Sequence, residues 1–251
     1  MSSIALGLLV FACVLGASLL GMGLNAILPK HLLCGDTKDV VRLTMGLVAT
    51  MTALVLGLLV ASAKGLYDNQ KACVTAMAAK AVVLDRLLAT YGADTTEVRA
   101  GLRSAVEASL ARMWPQKGGS PISPSPDASR GGAIYSAIQK LSWPDDVASL
   151  SKWKILDVAV DLSQTQWLLY EQANSSVSTV LLTVVIFWLT ILFLSFGLFA
   201  PRNATVVAAL LVAALSVSTS LFLVMEFDGP FSGLIKISNT PVVKALNYIG
   251  Q

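Results

Sequence analysis

Four long runs of apolar residues set the hydrophobic pattern of this chain. They extend from Ile4 to Leu28, from about Leu43 to Ala63, from Val177 to Phe199 and from Thr205 to Met225, and none contains Asp, Glu, Lys or Arg. A helix needs about twenty consecutive apolar residues to cross the hydrocarbon core of a bilayer. The pattern therefore predicts an all-α membrane protein with four transmembrane helices.

The spacing of the runs predicts four segments. Residues 1–63 form a first transmembrane hairpin, and residues 177–225 form a second one, closed by the short turn APRN. Residues 64–176 mix charged with apolar positions at helical spacing, which predicts a soluble helical stalk. Residues 226–251 follow the last membrane helix as a juxtamembrane motif and a short amphipathic tail helix.

Long continuous helices are expected within the stalk. No proline interrupts the chain from the second apolar run to Tyr91, and neither proline nor glycine lies between Pro144 and the third run. The second and third membrane helices are thus predicted to extend without a break into the stalk. The sequence Asp94-Thr-Thr-Glu97 is a capping box that predicts a further helix start, and residues 114–132 have the Pro, Ser and Gly content of a flexible linker.

Composition agrees with a membrane protein. Hydrophobic residues make up 55% of the 251 and charged residues 13%, and the mean hydropathy is +0.71. A soluble domain has about twice that charged fraction. The net charge of +3 is too small to indicate a nucleic-acid partner, so the expected surroundings are the lipid bilayer.

Two faces of the second apolar run differ in chemistry. One face holds small residues and a threonine, which let another helix approach closely: Gly46, Thr50, Ala53, Gly57 and Ala61. The opposite face combines hydroxyl and aliphatic side chains: Thr44, Val48, Thr52, Val55, Leu59 and Ser62. Hydroxyls can replace part of an ion's hydration shell, and an aliphatic ring can gate a pore by dewetting.

This second face is therefore the predicted lining of a pore, with Val48, Val55 and Leu59 as its constriction. In the alternative interpretation, the hydroxyls simply bond back to the carbonyl four residues earlier. No ionisable residue lies in any apolar run, whereas coupled transporters need charge near mid-membrane. That pattern favours a passive pore, open to anions as readily as to cations.

Catalytic and metal-binding motifs are missing from the sequence. It contains a single histidine, His31, and its three cysteines, Cys13, Cys34 and Cys73, have no CxxC spacing. There is no nucleophile–base arrangement, HExxH motif or phosphate-binding loop. We therefore expect neither an enzyme nor a bound metal or cofactor.

Two carboxylates, Glu226 and Asp228, follow the fourth apolar run and precede the helix-breaking pair Gly229-Pro230. Carboxylates are disfavoured at a helix C-terminus by the helix dipole, so a basic partner is expected, Lys64 or Lys71. Two carboxylates alone make a poor calcium site.

Three stretches resemble the bacterial bestrophin-like membrane proteins: LPKH after the first run, ASAKGLYD at the end of the second, and EFDGPFSGLIKIS after the fourth. The resemblance covers nearly the whole chain outside residues 114–132. Its most specific part is the juxtamembrane motif, which consists of Glu226, Asp228, Gly229, Pro230, Phe231 and Gly233.

The resemblance implies a homo-oligomeric channel for inorganic anions such as chloride, with the second helix around the pore. It also implies a bacterial inner-membrane protein with a cytoplasmic stalk and cytoplasmic termini. Residues 43–63 lack the aromatic side chains of a bestrophin neck, and only Glu226 and Asp228 correspond to the bestrophin calcium cluster. The competing hypothesis is a non-conducting membrane scaffold or sensor, whose stalk recruits a partner.

Overall fold

The computed structural model describes residues 3–27, 35–91, 95–114, 128–141, 148–174 and 178–251, and these ranges contain eight α-helices and no strand. The helices are α1 (Ser3–Ile27), α2 (Gly35–Tyr91), α3 (Thr96–Met113), α4 (Ala128–Lys140), α5 (Ala148–Asn174), α6 (Thr179–Phe199), α7 (Ala204–Asp228) and α8 (Thr240–Tyr248). Four of them, α1, α2, α6 and α7, are long and apolar enough to cross a membrane. The predicted all-α membrane fold with four transmembrane helices is confirmed.

The chain forms two compact units. The membrane unit consists of Met1–Gly65 and Val177–Asp228, and the second unit consists of Leu66–Ser176 and Gly229–Gln251. Helix α2 is continuous over 57 residues and contributes to both. Its length agrees with the absence of proline, because proline removes a backbone donor and kinks or breaks a helix interior.

The predicted continuity of the third membrane helix with the stalk falls on residues 175–177, which lie outside the described ranges. Helix α5 ends at Asn174 and α6 begins at Thr179, and the backbone at Ser178 is not helical (φ −55°, ψ 110°). The carbonyl of Ser178 accepts the first hydrogen bond of α6 from the N–H of Leu182 at 3.1 Å.

Two local predictions in the second unit fall partly on residues outside the described ranges. Thr95 precedes α3, but its hydroxyl donates to the carbonyl of Leu88 at 2.8 Å rather than accepting from a helix amide. Asp94 lies outside the described residues. Helix α4 begins at Ala128, inside the predicted linker, and residues 115–127 also lie outside the described ranges.

Helices α1 and α6 approach so closely that their backbones touch. A Cβ atom at Gly197 would overlap the carbonyl oxygen of Ser18, and one at Gly21 would overlap that of Leu194. Only glycine permits this distance, which is how helices pack in lipid. Arg202, in the turn between α6 and α7, donates to the carbonyl of Met22 at 2.9 Å and ties the turn to α1.

A buried core fills the membrane unit. It draws residues from all four membrane helices: Val10 and Val14 of α1, Leu59 and Ala63 of α2, Leu182, Val185, Leu189 and Phe193 of α6, and Ala214, Leu221 and Val224 of α7. Helix α1 also packs against α7.

The second unit has a separate core and a buried ion pair. Arg99 of α3 donates to both oxygens of Asp85 on α2, at 2.8 and 3.0 Å, and the N–H of Gly250 donates to the same carboxylate at 3.2 Å. Burial disfavours the charged carboxylate. The hydrogen bonds from Arg99 and Gly250, together with the charges of Arg99 and Arg86, outweigh that effect and lower the pKa of Asp85.

We predict that Gly197→Ala destabilises the membrane unit by about 1–3 kcal/mol, because the added methyl group forces α1 and α6 apart. The measurement is the melting temperature of the purified protein in mild detergent. The control is Gly57→Ala, since a Cβ atom added at Gly57 has no neighbouring atom within 4 Å. An unchanged melting temperature for Gly197→Ala would contradict the backbone contact.

The buried ion pair gives a second prediction. Asp85→Asn leaves the Arg99 charge uncompensated and is expected to cost about 3–5 kcal/mol. The matched control is Asp161→Asn, because Asp161 pairs with Lys80 at 2.8 Å but is half-exposed, and an exposed pair contributes about 1 kcal/mol or less. Equal losses of thermal stability in the two variants would contradict the buried character of the Asp85 pair.

The same pair predicts an acid dependence. Because the pKa of Asp85 is lowered in the folded protein, its stabilising effect is present above the ordinary aspartate value of about 3.9. The effect is lost as the pH falls through the lowered folded value. The stability difference between wild type and Asp85→Asn should therefore shrink below about pH 4. A stability difference that is as large at pH 3 as at pH 7 would contradict a stabilising effect of the ionised Asp85 carboxylate.

Candidate functional site

The membrane part of α2 is the least covered of the four membrane helices. In the most apolar stretch of α2 only 11% of the residues are buried, compared with 33% in α1, 33% in α6 and 22% in α7. A helix in this position leaves most of its surface to lipid, to another subunit or to a lumen. We therefore take the membrane part of α2 as the candidate functional site.

One stripe of α2 faces the core of its own membrane unit. Thr52, Leu59 and Ala63 are buried there, and Leu59 is only 3% exposed. Val55, Leu56 and Val60 are partly buried against the same core. The remaining circumference of the helix is the part that can meet something outside the chain.

Some residues of the predicted pore lining belong to the core-facing stripe of α2, and the others lie on the rest of its surface. Thr52 and Leu59 are covered by their own chain. Thr44 and Ser62 are exposed, and Val48 and Val55 are half-buried. These four lie at one angle of the helix, because their spacings of four, seven and seven residues repeat the helical period. We call this set, Thr44, Val48, Val55 and Ser62, the valine flank.

All five residues of the predicted helix-packing stripe are exposed: Gly46, Thr50, Ala53, Gly57 and Ala61. No atom lies within 4 Å of a Cβ placed at Gly46 or Gly57. Leu43, Leu47, Leu54 and Leu58 continue this surface and are exposed as well. The small-residue stripe therefore packs against nothing within the described chain, and the close glycine contact occurs between α1 and α6 instead.

The hydroxyls of α2 donate to the backbone. Thr44 donates to the carbonyl of Val40 at 2.9 Å, and Thr52 donates to that of Val48 at 2.7 Å. These are the bonds to the carbonyl four residues earlier that the alternative interpretation describes. It also has a chemical consequence, since a hydroxyl that has used its proton offers only oxygen lone pairs to its surroundings. Such a group can accept from water but cannot donate to an anion.

The carboxylates of the juxtamembrane motif lie at the end of α7. Helix α7 ends at Asp228, and Glu226 is buried in its last turn. Phe227 lies between these two acids in sequence. The Lys64 ammonium lies 5.8 Å from the centroid of its ring. Within the described ranges, no group of three or more His, Cys, Asp and Glu side chains is placed to hold a metal ion.

The rest of the motif forms a loop in the second unit. The N–H of Ile237 donates to the carbonyl of Pro230 at 2.8 Å, and Gly233 has a positive φ of 84°, which glycine adopts without strain. Phe231 meets the Trp114 ring edge-on at 5.5 Å, and the Trp114 indole N–H donates to the carbonyl of Ile237 at 2.9 Å. The sequence pattern predicts residue 114 only as the start of the flexible linker and gives no sign of this anchor.

Known proteins share this architecture. A family model described as Bestrophin-like domain matches residues 11–242. The crystal structure of a membrane protein, solved as a proline-to-alanine variant, superposes with a TM-score of 0.63 at 12% sequence identity, over 95% of this chain and 99% of the other. That likeness concerns the fold. No curated protein matches the chain.

The two environments of α2 lead to a prediction about stability. Leu59→Ala is expected to destabilise the protein by about 2–5 kcal/mol, because it leaves a cavity in the core of the membrane unit. Leu54 is 70% exposed in the chain, so Leu54→Ala is the matched control. Melting temperature in mild detergent measures both variants. No loss for Leu59→Ala would contradict its core position, and an equal loss for Leu54→Ala would mean that something outside the chain covers Leu54.

Proposed function

We propose that this chain, which belongs to the Bestrophin-like family, forms a homo-oligomeric, anion-permeable channel whose pore is lined by α2. The observation that carries the proposal is the broad uncovered surface of α2 in the membrane unit. A helix at the edge of its own unit can come together with its copies around a symmetry axis. The surface of α2 from Leu43 to Ala63 bears no charge, as a passive pore with a hydrophobic gate requires.

The valine flank is our proposed lumen surface. Val48 and Val55 would form the constriction, and the exposed hydroxyl residues Thr44 and Ser62 would lie above and below it. Leu59 and Thr52 would support the wall from behind, since both are buried in the unit. The part of the small-residue stripe that lies outside the α2–α6–α7 side of the unit, namely Thr50, Ala53, Gly57 and Ala61, would then meet a neighbouring subunit.

The proposed preference for inorganic anions such as chloride rests on charge at one end of the pore. Lys64 directly follows the apolar stretch of α2. In an oligomer this lysine becomes a ring of positive charge, which raises the local concentration of anions. The hydroxyl protons of Thr44 and Thr52 already bond to carbonyls, so these threonines are not the source of an anion preference.

Self-association is also supported by the second unit. Trp153, Val160 and Trp167 of α5 are all exposed, with Trp153 at 72%. Their spacing of seven residues places them on one side of the helix, as in the seam of a coiled coil. Exposed aromatic side chains of this kind are typical of protein interfaces. In the proposed oligomer this stripe meets a second copy of the chain.

The proposal places the protein in the bacterial inner membrane with its second unit and termini on the cytoplasmic side. The lipid bilayer and other copies of the chain are its partners, and it needs no cofactor and catalyses no reaction.

The α5 stripe also favours a second candidate function. In a non-conducting scaffold or sensor, Trp153 and Trp167 would bind a different protein, and the membrane helices would only assemble the complex. The small-residue stripe of α2 would then be the assembly face. Ion flux distinguishes the two functions, because the scaffold conducts nothing.

We predict chloride efflux from liposomes that contain the purified oligomer. Val55→Ala should increase the chloride flux several-fold by widening the constriction, and Val55→Trp should abolish it. The matched control is Val60→Ala, because Val60 is a half-buried valine of the same helix that borders the same core as Val55 but lies on a different side of α2 from the valine flank. Chloride and potassium gradients are tested separately to measure selectivity.

Absence of flux from a uniform oligomer would favour the scaffold, provided that the gate is not simply closed. Val55→Ser resolves this ambiguity, because a polar residue at the constriction prevents dewetting and should open a closed pore. Water-soluble thiol reagents then test the lumen face in cysteine variants. Labelling along the small-residue stripe, without labelling at positions 48 and 55, would move the lumen to the opposite side of α2.

A further inference from the structure

A cleft of about 550 Å³ opens within the membrane unit between α2, α6 and α7. The proposed pore does not use it, because its α2 wall is formed by Met45, Gly46 and Ala49 rather than by the valine flank. The other walls consist mainly of apolar residues of α6 and α7, including Phe196, Phe199, Ala209 and Ala213.

Small side chains create this space. A Cβ atom at Gly46 would have no neighbour within 4 Å, and the alanines opposite contribute only methyl groups. An apolar space of this kind is a poor site for water, which needs several polar partners. In the hydrocarbon region of a membrane, it is filled either by a lipid tail or by the side chains of another protein.

Arg42 distinguishes between these occupants. Among the described residues that line the cleft it is the one that carries a charge, and Arg42, Gly46 and Ala49 share a face of α2 by their spacing of four and three residues. Its side chain is 68% exposed, and its contact with the exposed Asp39 is long, at 3.9 Å. An exposed pair of this length contributes little, so the guanidinium is available to a stronger partner.

The position and chemistry of Arg42 fit a phosphate group. Arg42 directly precedes the apolar stretch that begins at Leu43, which is the level where lipid headgroups meet a membrane helix. A guanidinium donates two parallel hydrogen bonds to phosphate, and basic pockets between membrane helices bind anionic headgroups. The apolar membrane span of a second copy carries no acid that could pair with Arg42.

We propose that the cleft binds an anionic phospholipid, with its phosphate on Arg42 and one acyl chain in the space beside Gly46 and Ala49. The bound lipid fills the gap between α2 and the α6–α7 hairpin. This inference does not depend on ion conduction, because a scaffold with the same membrane unit would bind the lipid equally.

The test uses the full chain in vesicles of equal parts phosphatidylglycerol and phosphatidylcholine, followed by native mass spectrometry in mild detergent. The expected result is one phosphatidylglycerol retained per subunit. Arg42→Gln should lower this retention by about tenfold, through loss of a charge-assisted hydrogen bond. Lys38→Gln is the matched control, because it removes the same charge one turn earlier on α2 and does not line the cleft.

A second pair of variants tests the acyl-chain site. Gly46→Leu should fill the cleft and abolish retention, whereas Gly23→Leu, at an equally open glycine of α1 outside the cleft, should not. Retention unchanged in both Arg42→Gln and Gly46→Leu would overturn the proposal. Loss in Arg42→Gln alone would place the lipid outside the cleft and overturn the acyl-chain site. Dissociation of the oligomer in Gly46→Leu, without any bound lipid in the wild type, would mean that a second copy occupies the cleft, which also overturns it.

Discussion

The backbones of α1 and α6 touch where Gly197 meets the carbonyl of Ser18 and Gly21 meets that of Leu194. In lipid the hydrophobic effect does not drive helices together, because hydrocarbon tails are as apolar as leucine side chains. Close packing must supply the attraction, and it is strongest where two backbones approach without side chains between them. Helix α7 also packs on α1, so three helices form the body of the membrane unit and α2 remains at its edge.

The second unit is stabilised by the usual means of a protein in water. Burial of apolar side chains gives it a core, and one buried carboxylate, Asp85, is neutralised by Arg99. The loop after α7 is held through the Trp114 indole and its contact with Phe231. The second half of the juxtamembrane motif thus has a structural explanation. Gly233 adopts the positive φ of the loop, and Phe231 anchors the loop to Trp114.

The peripheral position of α2 has two consequences for function. Its uncovered surface is free to meet copies of the chain, which is the basis of the proposed channel. The part of α2 around Arg42 and Gly46 also stays apart from α6 and α7, and this gap is the cleft beside Arg42. Both features arise because the tightest packing of the unit lies between other helices. A single arrangement of four helices therefore provides a proposed pore surface and a proposed lipid site.

The all-α fold, the four membrane spans and the continuity of α2 follow from the amino-acid sequence alone, because freedom from charge over twenty residues and absence of proline are local properties. The side of α2 that faces the core depends instead on how the helices pack. In a soluble helix the polar side identifies the exposed face, but both sides of a membrane helix are apolar and the helical wheel gives no such contrast. For this reason Leu59, predicted to line a pore, lies in the core of its own unit. Gly57, in the predicted packing stripe, has no neighbour within its own chain, whereas Gly197 makes the close contact inside the unit, because the role of a glycine depends on which helix lies opposite it.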